Sequence, residues 1–177
     1  RTLLTDSLYG IHVLKLESAL APGDTLRLRF VQQWASRGFS NDGFDTRIAS
    51  NGTFLNRGEF PSMGYQPDAE LSSDELRRKY KLPEARKGTP RTDSAHVNQQ
   101  EFSPYSDFIA FDATVSTAPD QIALAPGYTQ REWMANGRRY FHYVMNAPIP
   151  DFYSILSARW TVTRDAWNGI PIEIYHH

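Results

Sequence analysis

The chain contains no cysteine. A disulfide framework and a thiolate-bound metal are both excluded. Charge of one sign is missing too: 19 Lys and Arg against 20 Asp and Glu leave a formal net charge of −1. No basic field draws nucleic acid or anionic lipid from a distance, so no nucleic-acid partner is expected. No stretch approaches the ~18 uninterrupted apolar residues of a membrane-spanning helix. Arg1 stands where an initiating methionine would be, which raises the expectation of a fragment, soluble in itself, cut from a longer polypeptide.

The motifs that announce self-contained catalysis are absent as well. His-Glu does not occur, so there is no HExxH zinc helix. GxSxG is missing, and with it the nucleophile elbow. Neither GxxxxGK nor GxGxxG is present to cradle phosphate. Of five histidines, His12 and His142 sit in strand-like segments and read as structural. His96 stands alone in a polar stretch. His176 and His177 close the chain as a strand end or the start of a tag. Asp68, Glu70, Asp74 and Glu75 gather before a helical pattern, where they complement the helix dipole. Asn51-Gly52-Thr53 is formally a glycosylation sequon, but Asn-Gly reads first as a tight turn. Arg138 and Arg139 read as solvated strand-edge charges.

What is present is β character. The 177 residues are 40% hydrophobic and 13% aromatic, which suits one domain over 1–177 with rings packed across strands. GIHVLKLE (10–17) begins with a period near two. TLRLRFV (25–31) sets Leu26, Leu28 and Phe30 against Arg27 and Arg29, and the Ala21-Pro22-Gly23-Asp24 turn between these runs predicts a hairpin. In DFIAFDATVST (107–117), Ile109, Phe111, Ala113 and Val115 form the predicted core face. QIALAPGY (121–128) reads as a strand and a turn. Asn136-Gly137 predicts a two-residue hairpin, and Asn168-Gly169 turns the strand region FYSILSARWTVTRDAW (152–167) into IPIEIYHH. Trp34, Trp133, Trp160 and Trp167 are expected to pack in the core or on sheet faces, with a sugar-stacking platform as the alternative.

One helix is predicted near 72–82, with Ser72 and Glu75 at capping-box spacing and Pro83 as its stop. Residues 36–47 read as a loop, 59–68 as irregular, and 84–104 as a long polar excursion. The fold class is all-β, mainly antiparallel: a β-sandwich or saddle-like open barrel.

Three segments in order carry a resemblance. LESALAPGDTLRLRF (16–30) is similar to an apolar hairpin with a Pro-Gly turn. NGTFLNRGEFPSMGYQPD (51–68) resembles a segment leading to Phe-Pro, here Phe60-Pro61. RRYFHYVMNAPIPDFYSILSARWTV (138–162) resembles an aromatic strand, a proline-aliphatic pair (Pro148-Ile149) and a second strand carrying Phe152, Tyr153, Ile155 and Leu156. Together they resemble the N-terminal β domain of the aminopeptidase N-like zinc metallopeptidases, the gluzincin aminopeptidase family. NGTF, FPSMGYQ, QIALAPG, GRRYFHY and IEIYHH are most similar to the bacterial type fused to an ABC-type transporter permease. The family's Cys-x-Asp-Glu-Pro is replaced by Ser62-Met63-Gly64-Tyr65-Gln66, so its acidic pair does not carry over.

The resemblance implies a non-catalytic domain that braces a peptidase domain and borders its peptide cleft. Asn51, Gly52, Thr53, Phe54 and Glu59 are the implied substrate-bordering residues. No catalytic or metal-binding residue is implied in this chain, and zinc belongs to the adjacent catalytic domain. The implied parent is membrane-associated, possessing permease segments as further partners, with this domain outside the bilayer. The alternatives are an independent envelope module that binds carbohydrate or a protein partner, and a structural spacer of a transporter.

Overall fold

The computed structural model describes residues 2–36, 47–49, 51–64, 70–85, 92, 94 and 108–177. The loop expected at 36–47, the acidic Asp68, the polar excursion at 84–104 and His96 lie wholly or mostly outside these residues. The contacts divide the chain into two units, Arg1–Gln33 and Trp34–His177.

In the first unit β1 (Thr2–Asp6) pairs antiparallel with β2 (Ile11–Leu14). The Asp6 carboxylate accepts the N–H groups of Leu8 and Tyr9 at 2.9 and 3.1 Å, and Gly10 takes φ +66°. This side-chain turn, followed by a residue that tolerates positive φ, reverses the chain. The hairpin predicted around Pro22-Gly23 is therefore corrected. The turn exists, with Asp24 N–H bonded to Ala21 O at 3.0 Å, but residues 25–31 form no strand. Alternation makes one face apolar, yet a strand needs a ladder partner, and β2 is paired with β1 instead.

The second unit is a set of antiparallel sheets without a closed barrel. β3 (Ile48–Ala49), β4 (Gly52–Asn56), β6 (Ile122–Leu124) and β9 (Ser154–Ala158) form a four-stranded sheet in the order β3-β4-β9-β6. β5 (Asp112–Thr117), β7 (Tyr128–Ala135) and β8 (Arg138–Val144) form a three-stranded sheet in the order β5-β8-β7. β10 (Thr161–Trp167) pairs with β11 (Ile170–His176). The segment read as one strand over 152–167 is thus two, broken at Arg159-Trp160, with its halves in different sheets. Asn136-Gly137 and Asn168-Gly169 close their hairpins with φ of +49°/+71° and +48°/+79°, the left-handed pair that matches strand twist.

The core lies where β6 meets β8. Ala123 is fully closed from water and packs with the buried Phe141 and Tyr143, with Val115, Ile122 and Ala125 around them. The expected inward face of β5 is found: Phe111 is buried and Ala113 and Val115 are half-buried, while Asp112 and Thr114 are exposed. A second cluster is aromatic. Phe111 meets Tyr153 at 4.9 Å between ring centroids, Tyr153 meets Phe60 at 5.7 Å, and Phe60 meets Trp34 edge-on at 6.1 Å. The chain between Val144 and β9 folds back on the run into β5. Ile149, between Pro148 and Pro150, exchanges both backbone bonds with Ile109 at 2.8 and 3.0 Å, so the prolines flank the pairing residue.

The helix is shorter than predicted. α1 spans Asp74–Lys79, and Ser73, not Ser72, is its cap, accepting Leu76 N–H at 3.3 Å. Its buried side chain is Arg77, whose guanidinium donates to Pro83 O, Leu71 O and Glu70 at 2.7, 2.8 and 3.2 Å. The arginine ties the residues before the helix to those after it, while Leu76 and Tyr80 stay exposed. No helix among the described residues is long and apolar enough to cross a membrane.

The turn signal at Asn51-Gly52 holds for Asn51, which lies in the turn joining β3 to β4, whereas Gly52 already belongs to β4, opposite Ala49 and Ala158. A Cβ there would lie 2.6 Å from Ser157 O and 2.9 Å from Ala158 Cβ. Gly52→Ala is therefore expected to destabilise the domain by about 1–3 kcal/mol, read as a lower urea midpoint at unchanged slope.

Candidate functional site

The turn between β5 and β6 moves the chain from one sheet to the other. Gln121 N–H bonds Ala118 O at 3.0 Å to close it. The side-chain oxygen of Gln121 accepts the hydroxyl of Thr117 from β5 at 2.7 Å and that of Ser157 from β9 at 3.3 Å. One amide thus spans both sheets, and beside it they part. The gap is a cleft of about 210 Å³. Leu55, Val115 and Ile155 make its apolar walls, Leu156 borders it from the opposite face of β9, and Thr53, Ser116, Thr117, Gln121, Ser157 and Arg138 complete the lining.

Arg138 is the only charged side chain among the described residues of that lining. Its Nε donates to Ser116 Oγ at 3.0 Å and its Nη2 to Ser116 O at 2.7 Å, which holds the guanidinium plane in place. The face of the three-stranded sheet from which Arg138 and Ser116 project carries a further group. Trp133 and Tyr140 stack at 5.1 Å and 16°, with the Arg131 guanidinium 4.9 Å over Trp133. His142 Nε2 lies 2.8 Å from Asp112 Oδ1 on that face.

Of the implied substrate-bordering residues, only Thr53 enters the cleft. Phe54 alternates to the other side of β4 and is exposed, as is Asn51, while Gly52 packs on β9. Glu59, in a 3-10 turn over Arg57–Glu59, pairs with Arg47. Arg57 in the same turn meets the buried Asp151 at 2.5 Å and Phe60 O at 3.1 Å. This pair ties the Phe60-Pro61 segment to the start of β9, so two segments of the sequence resemblance are neighbours in space. Gln121, Ser157 and Arg138 escaped sequence reasoning. Arg138 follows a turn and looks solvated, and nothing in a linear pattern signals that residues 121 and 157 meet.

No described histidine joins the cleft. His12 in β2 is 3.5 Å from Thr5 Oγ1, His176 is 3.1 Å from Thr163 Oγ1, and His177 lies against Trp160 at 4.8 Å. Trp160 in turn donates its indole N–H to Ile122 O at 3.1 Å. Among the described residues, no group of three or more His, Asp or Glu is placed to hold a metal ion. The hydroxyls of Thr117 and Ser157 donate to an amide oxygen, which takes no proton from them, so neither is set up as a nucleophile.

The perturbed groups lie mostly outside the cleft. Burial raises the Tyr143 and Tyr153 hydroxyls above their ordinary range. Tyr175 is pushed up to about 12 by burial first, then by donating to the Glu173 carboxylate, a bond of 2.6 Å. Bonds from Tyr175 and Arg164 hold Glu173 low, and the Arg159 bond does the same for Asp120. Comparison with known proteins finds no matching family model, no matching curated protein and no matching solved structure.

Two outcomes follow from this geometry. Thr117→Val keeps the shape but removes one donor to Gln121, and is expected to cost about 1 kcal/mol in chemical denaturation. A folded-state pKa near 12 for Tyr175 means the unfolded tyrosine, near 10, loses its proton first. The contribution of Tyr175 is complete below pH ~10 and is lost as pH rises toward ~12. Tyr175→Phe is therefore expected to flatten the alkaline fall in stability over that window, measured by denaturation at fixed pH steps.

Proposed function

We propose that this chain is a non-catalytic β domain of a zinc aminopeptidase-like protein, bracing the catalytic domain and bordering its peptide cleft. The observation that carries the reading is the apolar face of the β10–β11 hairpin. Register puts Trp167 opposite Ile170 and sets Ile172 and Ile174 on the same side, with Asp165 and Thr163 as their cross-strand partners. Trp167 is 66% exposed, Ile170 58%, Ile172 40% and Ile174 55%. The other side carries the Arg164–Glu173 pair at 2.8 Å and Tyr175. Such a two-faced ribbon suits a surface covered by a neighbouring domain of the same polypeptide. The ordered motifs from Phe60-Pro61 to Ile155-Leu156 supply the family expectation. The hydroxyl and amide chemistry of the cleft supplies no nucleophile and no base.

On this reading zinc and the water it activates belong to the adjacent catalytic domain, and permease segments of the parent anchor it to a membrane. Thr53 and its neighbours on β4 are the part of the surface nearest the peptide. An independent binding module is the second reading, favoured by the stacked Trp133–Tyr140 pair on a sheet face, since such rings also receive sugars.

The test compares this chain alone with the longer natural chain that includes the following domain. Amide exchange in β10 and β11 is expected to slow at least tenfold in the longer chain. Ile172→Asp is expected to abolish that protection while shifting the isolated domain by about 0.5 kcal/mol or less. Equal exchange in both chains, or zinc-dependent release of N-terminal residues by this chain alone, contradicts the proposal. Glycan binding lost in Trp133→Ala would transfer the weight to the second reading.

A further inference from the structure

The cleft beside Gln121 has a chemistry of its own, independent of the domain-bracing role. Its apolar walls come from branched side chains on three strands: Leu55 on β4, Val115 on β5 and Ile155 on β9. Among the described residues its charge is positive, because Arg138 has no acidic companion in the lining. Two of the five guanidinium N–H groups are spent on Ser116, and the others have no acceptor among the described residues. The same holds for the Gln121 amide nitrogen, whose oxygen is taken by two hydroxyls, and for the Thr53 hydroxyl. Donors of three kinds thus line one small, half-apolar space.

We propose that this cleft binds a carboxylate carrying a short branched aliphatic body. Arg138 receives the carboxylate, with Gln121 and Thr53 as further donors. Leu55, Val115 and Ile155 enclose the body. A guanidinium already oriented by Ser116 loses little freedom on pairing, and planar carboxylate matches its fork. A volume of about 210 Å³ is below the usual range for drug-sized ligands, which limits the ligand to about one residue. A free branched-chain acid and the C-terminal residue of a peptide share this chemistry.

The probes are 3-methylbutanoate, N-acetyl-leucine, and a tetrapeptide ending in leucine as free acid or as amide, titrated into the chain and followed by NMR and calorimetry. The carboxylates are expected to shift resonances of Thr53, Val115, Gln121 and Ser157, and the amide to bind at least tenfold more weakly than the acid. Arg138→Gln is expected to weaken carboxylate binding at least tenfold with an unchanged fold by circular dichroism. Ser116→Ala, which frees the guanidinium but keeps its charge, is expected to fall between. Tighter binding of the tetrapeptide acid than of 3-methylbutanoate identifies a peptide C-terminus as the source, and the reverse identifies a free acid. Absence of binding by every probe, equal binding of acid and amide, or full binding by Arg138→Gln overturns the proposal. None of these outcomes depends on protection of β10–β11 in the longer chain, so this site and the domain-bracing role fail separately.

Discussion

The hydroxyl of Tyr143 donates to the carbonyl of Ala123 at 2.7 Å inside the core, and the four-stranded and three-stranded sheets of the second unit are held around that bond. Ala123 belongs to the edge strand β6, which is three residues long and too short to hold a sheet by its ladder alone. Its small side chain lets Phe141 and Tyr143 close over it. Phe141 and Tyr143, stacked at 6.3 Å, each contribute roughly 1.5–3 kcal/mol by leaving water. The buried hydroxyl would cost much of that gain if unpaired. Bonded to Ala123, it instead fixes where β6 sits against β8. Gln121, two residues earlier, repeats the logic with its side chain by accepting from both sheets.

That seam also generates the cleft. The turn before β6 must carry the chain from the plane of β5 to that of β9, and strands that part at a corner leave space between their side chains. The lining therefore mixes inward apolar residues with the hydroxyls and amide that satisfy the corner. Arg138 reaches it from the first position of β8 because Ser116 offers two acceptors at once. The strand pairing that makes the core thus also places a single cation beside apolar walls.

Outside the seam the molecule is a set of local devices. Arg77 gathers the segment around α1 on its guanidinium, and Arg57 with Asp151 pins the 3-10 turn to the approach to β9. The β10–β11 hairpin is ordered by its Asn-Gly turn and cross-strand pairs, and leaves its isoleucines in water. An isolated two-stranded ribbon is marginal, so a covering neighbour would give that face the burial that the described residues do not supply.

Local chemistry was legible in the residue order. Asn136-Gly137 and Asn168-Gly169 announce hairpins because backbone sterics at those positions depend on neighbours alone. The alternation through Phe111, Ala113 and Val115 predicts its inward face for the same reason, and the all-β class follows from several such runs. Partner choice was not legible. TLRLRFV alternates as well as any strand here but has no ladder, because β1 takes β2. Asn51-Gly52 reads as a turn, and Asn51 sits in one, but Gly52 already pairs in β4, where Ala158 of a distant strand leaves room for nothing larger. Thr53 was singled out, whereas Gln121, Ser157 and Arg138 were not, since a side-chain bond across 36 positions leaves no periodic trace. Sequence alone determined where the backbone can bend and which faces shed water. The tertiary structure decided which strands meet and which polar groups share a cleft, because those depend on distances between residues far apart in the chain.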